Sequence, residues 1–329
     1  MTPMPLEGPE DIAQALLLRG GGQEALFDLA RRARDKAFGK EVEVRSVIEY
    51  SNICRQACHF CGMARDSSIR RYLLSDENFT EKMERLYAGG RRIILVQSGE
   101  FESDLHFDRL LRLLGNIRRR HEDLVLIGSF GSLREDWYKG LRDAGVGRYL
   151  LKFETSDPVL YSKIKPSDSL ADRLAGIETL RRLGFQVSSG NITGIPGQDL
   201  RSLAEDLLLL KRLGLHMAST SPFIPNELSR FAAQPPADLE LTLNAMSILR
   251  ILCPRALVPT TSALELLAAG GQYRGLATGA NTVTIHDGTP EREAGHFVLY
   301  SRRRHLPGDG LLEAVERAGL CCSGKPLLL

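Results

Sequence analysis

Cysteine is scarce in this chain, with six in 329 residues. They fall as one triplet, one adjacent pair and a singleton, which is no disulfide framework and points to a reducing, cytoplasmic compartment. No apolar run approaches the ~18 residues that span a bilayer. The segment Met1–Glu10 lacks the basic-then-apolar order of a signal peptide. Charge of either sign is also lacking in excess: 43 Lys and Arg against 41 Asp and Glu leave a net +2. That balance gives no case for a nucleic-acid partner, and the short basic groups Arg118–Arg120 and Arg302–Arg304 read as solvated faces. No proline-rich or serine-rich linker divides the chain. A soluble globular protein with 43% hydrophobic and 26% charged residues is expected.

What is present is a regular alternation. Strand-like apolar runs occur at Val42–Tyr50, Ile93–Gln97, Leu124–Ser129, Arg148–Phe153, Gln186–Thr193, Met217–Pro222, Leu257–Thr261 and Thr282–His286. Amphipathic helical stretches lie between them at Asp76–Ala88, Phe107–Arg120, Arg134–Ala144, Ser169–Leu183, Leu200–Leu213 and Leu239–Leu252. Glycine follows four of these, at Gly89, Gly145, Gly184 and Gly214, as expected for left-handed helix ends. Alternation at this interval predicts a parallel sheet with right-handed crossovers. Eight strands suffice to close an α/β, (β/α)8 TIM-type barrel. The expected division is an N-terminal helical segment over residues 1–40, the barrel over 41–300, and a C-terminal helix and tail over 301–329.

In such a barrel chemistry sits at the C-terminal strand ends, and the marked residues fall there. Just past strand one stands Ser51-Asn-Ile-Cys-Arg-Gln-Ala-Cys-His-Phe-Cys-Gly62, a C-x3-C-x2-C triplet. Three thiolates can hold three irons of a cubane [4Fe-4S] cluster and leave the fourth iron open to a substrate. Four would read as an electron carrier or a closed zinc site. Strand two ends in Gln97-Ser98-Gly99-Glu100, strand three in Gly128-Ser129 and strand four in Lys152-Phe-Glu154-Thr155. Strand five runs into Gly190-Asn-Ile-Thr-Gly194-Ile-Pro-Gly197. Five rims carrying polar groups suit a polar, zwitterionic ligand. Further candidates for a pocket wall are Tyr72, Phe130, Asn191, Thr193, Thr220, Phe223, Thr260 and His286. His286 reads equally as a hydrogen-bonded core residue, and His59 as packing or solvent-facing.

With these residues the chain resembles the radical S-adenosylmethionine (SAM) superfamily, in its biotin-synthase-like branch. Within it the chain most resembles the HydE-type [FeFe]-hydrogenase maturases. The similarity runs from Glu43 to about Pro290. It includes Ile48–Cys54, Val96–Glu100, Ala144–Leu151, Glu154-Thr155, Arg173-Leu174, Gly194–Gln198, Ser221–Pro225 and Gly279–Asn281. The resemblance implies that Cys54, Cys58 and Cys61 ligate a [4Fe-4S] cluster whose open iron is chelated by SAM. One electron then cleaves SAM to methionine and a 5′-deoxyadenosyl radical that abstracts hydrogen. Gln97, Ser98, Gly99 and Glu100 would lie near the SAM amino group, with Phe60 beside the adenine. Ser129, Glu154 and Arg173 would also contact SAM; a plain ion pair is the alternative reading of the last two. An electron donor such as ferredoxin or flavodoxin is implied.

The specific reaction stays open between two readings. Cys321 and Cys322, with Cys253, offer ligands for a second iron–sulfur cluster and favour sulfur insertion into an octanoylated carrier protein. This is the reading preferred from sequence, that of a lipoyl synthase component working with a second radical SAM protein. The departure of Ser219–Leu228 from the maturase pattern points the same way. Strands two, three and five carry none of the cysteines that hold the second cluster of biotin synthase itself. The alternative is a HydE-type maturase or a methylornithine-synthase-type enzyme acting on a small molecule. Which one holds depends on the eighth barrel helix. If it is Leu311–Ala318, the pair Cys321-Cys322 lies at the barrel bottom; if it is Glu291–Tyr300, the pair can reach the mouth.

Overall fold

A computed structural model describes residues 6–100, 102–299 and 308–327. Two helices, α1 (Pro9–Leu16) and α2 (Gly20–Phe38), precede strand β1 (Glu41–Ser51). Then follow α3 (Asp76–Ala88), β2 (Ile93–Ser98), α4 (Asp104–Arg120), β3 (Val125–Ser129), α5 (Glu135–Asp143) and β4 (Val146–Leu150). A helix pair, α6 (Pro158–Ile164) and α7 (Leu170–Arg182), leads to β5 (Gln186–Thr193), α8 (Leu200–Leu213), β6 (Met217–Pro222) and α9 (Leu239–Leu252). The last described elements are α10 (Ala263–Leu267), α11 (Gly271–Ala277), β7 (Thr282–Ile285), α12 (Glu291–Ala294), α13 (Gly308–Arg317) and β8 (Cys321–Ser323).

The strands are parallel, in the order β6-β5-β4-β3-β2-β1-β7. The expected strand Leu257–Thr261 is not a regular ladder. It makes only isolated bridges, Met217 to Leu257 on one side and Pro259 to Thr282 on the other. Pro259 has no N–H to donate, and the side chain of Asn281 stands in as acceptor for the Val258 N–H at 2.9 Å. The bridges still join β6 to β7, so the sheet curls into the expected (β/α)8 form. The strand expected at Arg148–Phe153 sits earlier, at Val146–Leu150; beyond it the chain keeps only an isolated bridge to β5, between Glu154 and Asn191.

Helix boundaries follow side-chain caps. Ser75, Ser103, Asp157, Ser169, Asp199 and Asp238 each accept a backbone N–H at the start of a helix, worth about 1 kcal/mol apiece. Ser103, Asp157 and Asp199 lie shortly after the ends of β2, β4 and β5, so capping there also fixes loops that carry rim residues. Of the four glycines expected to end helices left-handed, Gly145, Gly184 and Gly214 have positive φ. Gly89 does not (φ −76); its neighbour Gly90 takes that role at φ +85.

The bottom of the barrel decides the placement of Cys321 and Cys322. After α13 the chain enters β8, which pairs in parallel with the first residues of β1, Glu41 to Cys321 and Val42 to Cys322. β1 is 11 residues long, and at about 3.3 Å per residue the cysteine pair lies roughly 30 Å from the loop beyond Ser51. Both cysteines are exposed. Beside them Leu327 N–H donates to Glu43 Oε2 at 3.1 Å, so the tail covers the floor. Cys253 caps the C-terminal end of α9, also at the bottom. A second cluster near the mouth, built from Cys253, Cys321 and Cys322, is therefore not assembled by the fold. The helix expected at Glu291–Tyr300 is the short α12; Tyr300, the Arg302–Arg304 group and the boundary at 300/301 lie outside the described residues. Arg119 and Arg120 are exposed as expected. No helix among the described residues is long and apolar enough to cross a membrane.

Candidate active site

Beyond Ser51 the chain leaves β1 in an irregular loop and returns where Ser51 bridges Leu73. Two side chains staple this loop. Asn52 Nδ2 donates to the carbonyls of Arg70 (2.7 Å) and His296 (2.8 Å), while its Oδ1 accepts from Tyr72 N–H. Arg71 donates to the carbonyls of Asn52, Met63 and Ala64. Inside the stapled loop Cys58 and Cys61 are buried and Cys54 half-buried. Each sulfur accepts one N–H: Cys54 from Glu100 N (3.4 Å), Cys61 from Met63 N (3.4 Å) and Cys58 from Lys165 Nζ (3.5 Å). Burial pushes the thiols of Cys58 and Cys61 up, and Lys165 opposes that shift at Cys58. Lys165 is itself buried and 3.4 Å from Asp168.

All three cysteines face one cavity of about 330 Å³, and so do Phe60, Gln97, Ser98, Gly99, Glu100, Ser129, Glu154 and Arg173. Gly99 allows the loop to close on β2: a Cβ there would lie 2.3 Å from Ile53 O and 2.7 Å from Cys54 Cβ. Glu100 is buried and accepts from Gln56 (2.9 Å), Arg55 (3.2 Å) and Arg173 (3.4 Å). Arg173, 3% exposed, also donates to Asp168 and to Tyr161 OH. Its burial alone would lower its pKa; Glu100, Tyr161 and Asp168 outweigh that and hold it well above its ordinary value. Glu154 and Arg173 do not pair with each other. Glu154 lies 3.0 Å from Lys152 Nζ and is the one non-glycine with positive φ (+64) among the described residues, a backbone state that costs about 1–2 kcal/mol.

Of the other wall candidates, Phe223, Thr260 and His286 line the cavity, and His286 Nδ1 is 3.4 Å from Glu49 Oε1. Five do not. Tyr72 donates its hydroxyl to Glu49 O, and Phe130 packs edge-on against Tyr149. Thr193 and Thr220 bond each other at 2.6 Å, and Asn191 donates to Asp206. Side chains alternate along a strand, and Asn191 and Thr193 on β5 and Thr220 on β6 fall on faces turned away from the cavity. His59 packs edge-on against Phe231. Sequence reading missed Lys165 and Arg45 and marked Lys152 only as part of the strand-four rim; all three line the cavity. Arg45 is the most informative. Its guanidinium donates to Thr284 Oγ1 (2.7 Å) and Met217 Sδ (3.0 Å), with no carboxylate at ion-pair distance among the described residues. Burial pulls its pKa down to about 10, with Glu43 opposing and Arg148 adding to the shift. Its alternation with Val47 along β1, beside an apolar run, was the only available signal.

The donor set fits a three-thiolate iron–sulfur site: three soft ligands on one stapled loop, each with an N–H aimed at its sulfur to stabilise the anion. The adjoining rim, with glycine where the backbone comes close and buried Glu and Arg, fits a zwitterionic ligand beside it.

The chain is similar to several known proteins. Residues 48–210 match the family model described as "Radical SAM superfamily". The [FeFe] hydrogenase maturase subunit HydE of Thermotoga maritima is 35% identical over 295 residues, covering 88% of this chain and 83% of that protein. A biotin synthase of Renibacterium salmoninarum is 26% identical over 318 residues, 90% of each. The crystal structure of methylornithine synthase (PylB) superposes with a TM-score of 0.86 at 25% identity, covering 96% of this chain and 94% of that one.

Proposed function

This chain belongs to the radical SAM superfamily, in its biotin-synthase-like branch, and on that premise we propose that it abstracts hydrogen from a small anionic molecule held inside the barrel. The reaction would be of the HydE or methylornithine synthase kind, without a sulfur donor of its own. As a radical SAM enzyme it uses a [4Fe-4S] cluster and SAM and needs a substrate and an electron donor. The observation that carries the finer reading is the distance between the two thiol groups. Cys321 and Cys322 pair with Glu41 and Val42 at the barrel bottom, while Cys54, Cys58 and Cys61 stand at the mouth. The preference for lipoyl sulfur insertion rested on bringing those groups together. The similarity to HydE over most of both chains supports the same choice.

When bound, the cluster and SAM supply one electron and a primary carbon radical. This chain's residues supply the rest. Cys54, Cys58 and Cys61 would ligate iron, with Glu100 N, Met63 N and Lys165 stabilising their charge. Arg173, held by Asp168 and Glu100, and Glu154, with Gln97, Ser98, Ser129 and Phe60, would bind and orient SAM. Arg45 and Lys152 would take the substrate's anionic group, keeping its C–H bond near the radical and water away. A ferredoxin or flavodoxin would deliver the electron, and no second radical SAM protein is required.

Metal analysis tests the choice. The reconstituted protein is expected to hold about four iron atoms, and the same number after Cys321→Ala with Cys322→Ala. Incubation with SAM, reductant and an octanoylated carrier protein should add no sulfur to that protein. About eight irons falling to four in the double variant would restore the sulfur-insertion reading.

A further inference from the structure

We propose that Asp206, on α8, is the positioning residue that fixes Glu154 in its left-handed conformation and so sets the affinity for SAM. The inference rests on the reading that Glu154 contacts SAM. Asp206 is fully buried, on a helix whose other buried residues are Leu203, Ala204, Leu207 and Leu210, and helix–sheet packing alone has no use for a carboxylate there. It accepts five hydrogen bonds. Oδ1 takes Ser156 N (2.5 Å), Ser156 Oγ (2.6 Å) and Thr155 Oγ1 (3.3 Å), the two residues directly after Glu154. Oδ2 takes Asn191 Nδ2 (3.1 Å) and Gln198 Nε2 (2.9 Å).

Those partners flank Glu154 on both sides. Its own N–H donates to Gly190 O at 3.0 Å, and its carbonyl accepts from Ile192 N at 2.8 Å. Asn191 lies between those two residues, and Gln198 donates to Ile192 O and accepts from Gly194 N. One carboxylate therefore ties the chain after Glu154 to the strand against which Glu154 is laid. A residue at φ +64 relaxes unless its surroundings over-determine it. Here the determinants on both flanks converge on the same two oxygens. Burial raises the Asp206 pKa to about 6, opposed by bonds from Ser156, Asn191 and Thr155. The five donors aimed at its two oxygens are matched by the ionised carboxylate, the form that can accept all five.

Equilibrium dialysis of labelled SAM against the oxidised, cluster-loaded protein tests this without turnover. Asp206→Asn presents an amide NH2 to at least one donor pair, and about a tenfold rise in Kd is expected (about 1.4 kcal/mol), with iron content unchanged. Glu154→Gln should also weaken binding about tenfold. The double variant should be no weaker than Glu154→Gln by more than about twofold, because both changes remove one interaction. Ser156→Ala, which deletes one donor and leaves the carboxylate, should give a rise of about threefold, and it stands in if Asp206→Asn does not fold. Unchanged affinity in Asp206→Asn or in Ser156→Ala, or a double variant whose loss is the product of the singles, overturns the proposal while leaving the Glu154 reading intact. Unchanged affinity in Glu154→Gln overturns both.

Discussion

Replacing Arg173 by methionine is expected to cost about 3 kcal/mol of stability and to abolish measurable SAM binding. The guanidinium is 3% exposed and faces two carboxylates, Glu100 and Asp168, that are 5% and 8% exposed. Its removal leaves each with weaker partners, Glu100 with Gln56 and half-exposed Arg55, Asp168 with Lys165 and Tyr161. Loss of one member of a buried ion pair is costly because the remaining charge stays desolvated. For a chain of this size the melting temperature should fall by roughly 5 °C or more. Arg173→Lys keeps the charge but not the planar fork. It should recover part of the melting temperature and little of the affinity. A methionine variant that melts like the native protein would show that the network carries no net energy.

Gly99→Ala is the other change with a large expected effect, and it acts through geometry instead of charge. The added methyl would sit 2.3 Å from the carbonyl oxygen of Ile53 and 2.7 Å from Cys54 Cβ. The first contact is backbone and cannot rotate away, so the cysteine loop must move off β2 by about 1 Å, at a stability cost of about 1–3 kcal/mol. That displacement separates Cys54 Sγ from Glu100 N and misaligns one of three ligands. A misplacement of that size at a reacting centre can cost about 100-fold in rate. Iron content well below the native value, and 5′-deoxyadenosine formation lowered at least tenfold, are the expected results. Gly147→Ala is the control, since nothing lies within 4 Å of a Cβ at that position. Equal iron content in the two alanine variants would remove the argument for close approach.

Much of the site was legible because the chemistry is local in sequence. The cysteine triplet spans Cys54 to Cys61, and Gln97–Glu100, Ser129 and Glu154 mark the ends of strands that apolar runs already outline. Those residues, with Arg173, do meet in one cavity. What was not legible depends on pairing between distant segments. Lys165 follows a short helix, and nothing in its spacing brings it to Cys58, 107 positions away. Asp206 sits in an amphipathic pattern where an acid reads as solvent-facing; its burial follows from partners on β5 and on the loops after β4 and β5. Leu257–Thr261 has the composition of a strand, but Pro259 prevents a continuous ladder and leaves only bridges. The pair Cys321-Cys322 was compatible with either end of the barrel until β8 was seen to join the start of β1. That pairing and the similarity to HydE over most of both chains favour chemistry at the mouth cavity over sulfur insertion.

We propose that three thiols at the mouth of this barrel equip it to cleave SAM reductively. Anaerobic incubation of the reconstituted protein with SAM and dithionite, with 5′-deoxyadenosine measured over time, tests it most directly. Formation of 5′-deoxyadenosine and methionine in equal amounts, lost in Cys58→Ala and retained in the Cys321→Ala, Cys322→Ala variant, is the predicted result. A protein carrying its full complement of iron that forms no 5′-deoxyadenosine would contradict the account.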